Sequence, residues 1–263
     1  MESKKTISNK NTVNNFDLLR LFAASQVVLS HASTHLEHSY SFLSFLSLFP
    51  GVPIFFFLSG FLIYGSYESS SENKKPILNF YFKRVLRLYP GLWACLLFSI
   101  LLVWNSGYLE NISLNIKEIG LWFAAQMTAF QFYNPDFLRG FGLGALNGAL
   151  WTISVELQFY LLVPLVHKLM QQKKVFIFSM IVIFIFFNVS NAYLNDQDTI
   201  VLKLISVSFA PWFYMFLVGA FFAKFKEYIS SALSINIFVL FVALVTIYFM
   251  SDYLGLGWGN KVN

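Results

Sequence analysis

The chain has 263 residues, of which 57% are hydrophobic and only 12% charged, and its mean hydropathy is +0.62. Soluble domains carry about 25% charged residues, so this composition excludes an ordinary soluble globule and indicates a protein built within a membrane. The net charge of +5 does not indicate a nucleic-acid partner, because the lysines and arginines fall between apolar stretches and form no single basic face.

The first fifteen residues, MESKKTISNKNTVNN, are polar and carry no cleavable signal pattern. A helix needs about 20 mostly apolar residues to cross the hydrocarbon core. By that measure the predicted spans are 16–35, 48–67, 88–104, 149–167, 174–193, 200–223 and 234–254. The stretch IGLWFAAQMTAFQFY (119–133) is short and aromatic and holds Gln126 and Gln131. It reads as an interfacial or re-entrant helix. Basic residues in short loops mark the cytoplasmic side. Lys4, Lys5 and Lys10 precede the first span, and Lys74, Lys75, Lys83, Arg84 and Arg87 lie between the second and third. Lys168, Lys173 and Lys174 separate the fourth and fifth, and Lys224 and Lys226 follow the sixth. The alternate loops hold few, so the N-terminus is expected in the cytoplasm. The expected fold is all-α: one polytopic transmembrane bundle over 1–263, with about seven spans. An odd count ending at LGLGWGNKVN reads as a C-terminally short chain. The single cysteine, Cys95, excludes a disulfide within the chain.

Within the first span, FDLLRLFAASQVVLSH places Arg20 and His31 eleven positions apart. Eleven residues make about three turns, so both side chains share a face, about 16 Å apart along it. A charge inside a spanning helix costs at least about 2.5–3.5 kcal/mol and is usually kept for a task. In the fourth span, LWTISVELQFYLLVPLV carries Glu156, whose expected depth matches that of His31 within about 5 Å. A carboxylate there can orient the imidazole of a general base, and Tyr160 follows on the same helical face. A plain hydrogen bond between a buried His and Glu is the equally open structural reading. Arg84 and Arg87, in FYFKRVLRLYPG, share a face at i, i+3 and lie with Arg20 near the inner surface. Three guanidinium groups suit a phosphate-bearing ligand, and they suit lipid headgroups as well. Asp17 is read as the local ion-pair partner of Arg20 or as the helix N-cap.

FPGVPIFFFLSGFLI (49–63) has Pro50 and Pro53 near a helix start and Ser59-Gly60 where backbones can approach. The glycine-rich RGFGLGALNGALW (139–151) can fold back against a site or act as a flexible connection. His35, His38 and His167 fall at span ends, and no spacing resembles a metal site. Trp122, Phe130, Phe132 and Tyr133 fit sugar stacking or an interfacial belt. No P-loop, dinucleotide fingerprint or serine nucleophile elbow occurs.

Four of these segments together resemble the acyltransferase 3 family of integral-membrane O-acyltransferases. FDLLRLFAASQVVLSH carries its Arg, ten residues, His arrangement at Arg20 and His31. GVPIFFFLSGFLI is similar to its second-helix motif, with Pro53 where many members have an acidic residue. FKRVLRLYP matches its Arg-x-x-Arg stretch at Arg84 and Arg87 before Pro90. NGALWTISVELQFYL is similar to its Trp-(Ser/Thr)-Leu-x-x-Glu-x-x-x-Tyr segment, giving Trp151, Thr152, Glu156 and Tyr160. The resemblance covers about 16–167, and members usually carry several more spans than seven.

The resemblance implies a multi-pass protein of the bacterial cytoplasmic membrane with no resident cofactor. It implies an acyl-CoA donor, typically acetyl-CoA. The implied acceptor is a carbohydrate, free or lipid-linked, of a surface polysaccharide such as lipopolysaccharide O-antigen. His31 becomes the expected catalytic base, with Glu156 beside it, and a covalent acyl-histidine relay stays open. Arg20, Arg84 and Arg87 become the expected contacts of the donor phosphates, supported by Asp17, Ser59, Trp151 and Tyr160. Two other classes fit the intramembrane charges: a flippase or exporter of a lipid-linked sugar, and a non-catalytic relative.

Overall fold

The computed structural model describes residues 15–35, 51–71, 76–142, 144–194 and 200–232. The expected seventh span, 234–254, lies outside them, as does His38. Among the described residues every regular element is helical. The helices are α1 (Asn15–His35), α2 (Gly51–Ser70), α3 (Pro76–Asn105), α4 (Ile116–Met127), α5 (Trp151–Met170), α6 (Lys173–Leu194), α7 (Ile200–Ser206), α8 (Phe213–Lys224) and α9 (Lys226–Ala232). Two of these regions are long and apolar enough to cross a membrane, Pro76–Asn105 and Gly148–Met170.

The core is made by α2, α5 and α8 lying side by side. Phe56, Ile63 and Tyr64 of α2 meet Val155, Phe159 and Val163 of α5 and Phe216 and Ala220 of α8, all but fully buried. The ring of Phe159 sits between its neighbours, edge-on to Phe56 at 5.4 Å and stacked on Phe216 at 4.5 Å. Such aromatic pairs add directional preference to the area they bury. Pairing along their lengths shows that the three run parallel: Phe56 meets Trp151 and Trp212 near one end, and near the other Tyr64 meets His167, which lies within electrostatic reach of Lys224 at the end of α8.

The closest approach is between α2 and α8, and glycine makes it. A Cβ added to Gly60 would collide with the Phe216 carbonyl oxygen. A Cβ added to Gly219 would collide with the Phe57 carbonyl oxygen. The two backbones therefore touch at both positions, which only residues without a side chain permit. Gly51 allows a similar approach to α1. Its N–H donates to Gln26 Oε1 at 3.0 Å, filling one of the donors that a helix start leaves unpaired. Pro53 sits in that same first turn, where a missing N–H costs nothing.

Helices α1, α3 and α6 run opposite to this core. Phe16 stacks on Phe61 while Gln26 meets Gly51, so α1 is antiparallel to α2. In α3, Arg84 lies by Tyr160 while Cys95 meets Asn147, so α3 is antiparallel to α5. Phe176 and Phe184 of α6 meet Phe221 and Tyr214 of α8, again antiparallel. With α3 and α5 antiparallel, the segment between them returns to the side it left. Among its described residues the α-helix is α4, with 12 residues, about 18 Å, too short to span. The outer face of α3 is bare and apolar, with Phe98 64% and Trp104 72% exposed. Such a face is stable against hydrocarbon and not against water.

One expected element is corrected. The sixth span was expected as a continuous helix over 200–223. The structure breaks it into α7, a 3-10 turn at Ala210–Trp212, and α8. Pro211 has no N–H to give, and the serines before it supply alternative bonds. Ser206 and Ser208 hydroxyls donate back to Lys203 and Ile205 carbonyls at 2.7 Å each. Ser208 Oγ then accepts from the Ala210 N–H, and Gln158 Oε1 of α5 accepts from the Phe209 N–H at 2.9 Å. The expected third span, 88–104, also extends, since α3 continues through Pro90 back to Pro76 and carries Arg84 and Arg87 within one helix.

Gly60→Val and Gly219→Val are each expected to destabilise the folded protein toward the upper end of the about 1–3 kcal/mol typical of overpacking, or beyond it. Gly65, with open space where its Cβ would be, should accept Ala without loss. Thermal unfolding of the three variants in one detergent measures the contrast.

Candidate functional site

The site begins on α5. Glu156 is buried, and its Oε1 accepts a 2.6 Å hydrogen bond from the Tyr160 hydroxyl one turn on. The i, i+4 spacing alone brings the two together. The Tyr160 ring then faces α3, edge-on to Phe80 at 6.2 Å. Arg84 lies across both rings, its guanidinium carbon 5.4 Å from the Phe80 centroid and 5.9 Å from that of Tyr160. Arg84 is only 6% exposed. Aromatic faces are among the few environments that hold a desolvated guanidinium without using up its donors.

From the opposite side α1 supplies Arg20. It lies within electrostatic reach of Arg87, Glu156, Tyr160 and Asp17. Arg84 in turn is within reach of Tyr160, Arg87 and Glu156. Helices α1, α3 and α5 thus bring three guanidinium groups, the buried carboxylate of Glu156 and one phenol into a single constellation, with the exposed Asp17 at its edge. The Nε atoms of Arg20 and Arg84 are buried, and neither has a hydrogen-bond partner among the described residues. A buried N–H left open marks a donor available to a ligand.

The other expected site residues are distributed as follows. His31 belongs to α1, three helical turns beyond Arg20, but its side chain lies outside the described residues. The expected pairing of His31 with Glu156 therefore falls outside them as well. Ser59 is fully buried in α2, and its hydroxyl has no partner among the described residues. Trp151 starts α5 and packs on Phe56 at 6.1 Å and Trp212 at 5.5 Å. Thr152 donates to the Ala149 carbonyl at 2.9 Å. Asp17 is exposed in the first turn of α1. Among the described residues no group of three or more His, Cys, Asp or Glu is arranged to hold a metal.

Several residues not singled out for the site from sequence help to fix it. Gln126 and Gln131 interlock across the turn that follows α4. Gln126 Nε2 donates to the Gln131 and Tyr133 carbonyls at 3.1 and 3.0 Å, and Gln131 Nε2 returns bonds to Gln126 and Thr128. The knot is tied to α5 by Ser154, whose hydroxyl donates to Gln131 Oε1 at 2.6 Å and lies 3.2 Å from the Gln131 N–H. Two glutamines in an apolar stretch were the visible signal. At the other end of α5, His167 Nδ1 lies 3.3 Å from the Tyr64 hydroxyl, which also reaches Glu68. The glycine-rich loop folds back on the C-terminal half of α3. Leu138 packs with Leu96 and Trp122, and Gly142 and Gly144 turn through positive φ of 52° and 81°.

The model of an acyltransferase domain, acyltransferase 3, matches residues 13–262. The chain belongs to the acyltransferase 3 family. Among curated relatives it is 38% identical over 175 residues to nodulation protein 10 of Rhizobium leguminosarum bv. viciae, covering 61% of this chain and 46% of that protein. It is 27% identical over 165 residues to the peptidoglycan O-acetyltransferase OatA of Listeria monocytogenes, covering 61% of this chain and 25% of that protein. It is 26% identical over 249 residues to an O-acetyl transferase of Shigella phage Sf6, covering 91% of this chain and 70% of that protein. The chain thus spans less than half the length of the first two. No solved structure matches it.

Ser154→Ala strands both Gln131 Oε1 and the Gln131 backbone N–H, and is expected to lower stability by about 1–3 kcal/mol. Ser154→Thr, which keeps the hydroxyl, should lose less. Thermal unfolding of the pair in detergent separates the lost bond from a general packing defect.

Proposed function

We propose that this acyltransferase 3 protein moves an acyl group, acetyl by preference, from acyl-CoA to a hydroxyl of a cell-surface polysaccharide or its lipid-linked precursor. The observation that carries the reading is the arginine constellation, with the buried and open Nε donors of Arg20 and Arg84. Guanidinium groups suit phosphates, and a donor carrying several phosphates is what acyl-CoA offers. The names of the relatives support O-acetylation as the reaction class. In this reading the protein is a multi-pass protein of the bacterial cytoplasmic membrane with about seven crossings and its N-terminus in the cytoplasm.

The chemistry follows from the residues. A sugar hydroxyl is a weak nucleophile at neutral pH and needs a base. His31 takes its proton. The oxygen attacks the thioester carbonyl, the new C–O bond forms, and the C–S bond breaks. The imidazolium returns the proton to the departing CoA thiolate. Arg20, Arg84 and Arg87 hold the donor phosphates during transfer. Three turns of α1 separate Arg20 from His31, about 16 Å, which suits a donor held at one depth and reacting at another.

His31→Ala is expected to abolish transfer while the protein still inserts and folds. Mass spectrometry of surface polysaccharide from complemented strains should show the base-labile increment of one acetyl group with the wild-type gene only. An increment that persists with His31→Ala removes the base assignment. Arg84→Gln is expected to raise the donor KM about ten- to hundredfold, the weight of one or two charge-assisted bonds, measured by steady-state kinetics with acetyl-CoA.

A further inference from the structure

Glu156 is a buried carboxylate close to guanidinium groups, yet its short hydrogen bond goes to a phenol. Tyr160 donates to Oε1 at 2.6 Å, and the same ring lies under Arg84. Meanwhile the Nε atoms of Arg20 and Arg84 stay open and buried. A carboxylate serving as a closed ion-pair partner would take such donors, since charge-assisted bonds to guanidinium are among the strongest available to it. Arg84 is buried and Arg20 half-buried, while Arg87 is exposed, and holding the first two out of water without an anion nearby would be costly. One buried carboxylate held a short distance off relieves their repulsion and still leaves both Nε donors free, with Arg84 bonded to Tyr160 rather than to the carboxylate.

We infer that Glu156 is the internal counter-ion of the arginine site, held off the guanidinium donors by Tyr160. In that role it sets the affinity for the incoming anion and does not orient the base. The inference rests on reading Arg20, Arg84 and Arg87 as the donor-phosphate site. When the ligand arrives, its phosphates take the open donors, and Glu156 becomes a like charge beside them. The carboxylate therefore stabilises the empty site and weakens the filled one, which favours release of CoA after transfer. Tyr160 is a positioning residue: without its hydroxyl the carboxylate is free to swing onto Arg84 and occupy the donors itself.

The test is calorimetric titration of CoA into the purified full chain in nanodiscs at fixed salt. Glu156→Gln removes one repulsion toward phosphate and is expected to bind CoA about tenfold tighter. Tyr160→Phe alone is expected to bind about tenfold weaker, and to have no effect when Glu156 is already Gln, a non-additivity that a double-mutant cycle reads directly. Unchanged or weaker binding in Glu156→Gln, with Arg84→Gln impaired, overturns the counter-ion role and leaves the arginine site standing. Unchanged binding in both Arg20→Gln and Arg84→Gln overturns the arginine site itself. Should Glu156→Gln fail to elute as a single folded species, wild-type affinity in Tyr160→Phe overturns the inference by itself.

Discussion

Backbone contact between α2 and α8 is the constraint on which the rest of the core depends. Apolar side chains gain little from leaving lipid for a protein interior, so helices in a membrane associate through close packing and hydrogen bonds. Gly60 and Gly219 provide the close packing: each lets its helix rest against the carbonyl of the other. With α2 and α8 so near, α5 has one groove to enter. Phe159 fills it, contacting Phe56 on one side and Phe216 on the other. The face of α5 carrying Glu156 and Tyr160 is then turned toward α1 and α3. An arginine on each of those helices completes the constellation. The polar site is thus a consequence of how the apolar core closes.

The electrostatics of that constellation are unusual for a core. Buried cations ordinarily draw tight partners, because their desolvation must be offset. Here Arg84 is held by the faces of Phe80 and Tyr160. A π face attracts the cation, and here the Arg84 guanidinium also hydrogen-bonds Tyr160 while its Nε stays unengaged. The same Tyr160 uses its hydroxyl on Glu156. One side chain thereby positions both a cation and an anion and keeps them from closing on each other. A pair of lysines could not serve equally well, because the ammonium is a point charge without the flat face that stacks.

Much of this was legible in the sequence, for reasons that can be named. Hydropathy gave the helices because every buried backbone group in lipid must be satisfied within its own segment. Helical spacing gave the Glu156–Tyr160 face, since i, i+4 neighbours meet in any α-helix. The Ser59-Gly60 pair gave a close approach, and Gly60 makes one. The partner of that approach was not readable, because Gly219 lies 159 positions away in a segment with no distinguishing motif. The break at 206–212 was missed for a different reason. Hydropathy averages over a window and does not weigh Pro211 or the side-chain bonds that make its neighbours viable. Gln158 looked like a stray polar residue, and only its bond to Phe209 explains it. Likewise Gln126 and Gln131 were visible as polar residues in an apolar stretch, but the knot they form depends on a turn that spacing does not encode.

These missed residues share a geometric logic. Ser154 and Gln158 are four positions apart and so lie on one side of α5. Glu156 sits about 200° around the helix from Ser154, with Tyr160 on its own face. One side of α5 is therefore pinned at two heights, by the Gln131 turn and by the broken segment before α8. The other side carries the carboxylate and the phenol. Rotating α5 enough to move Glu156 away from Tyr160's arginine neighbours would break both pins at once. The irregular backbone at 206–212 and the turn at 128–135 thus do more than end their helices. Each offers a backbone N–H to α5, and these bonds set the rotation that decides which face the arginines see.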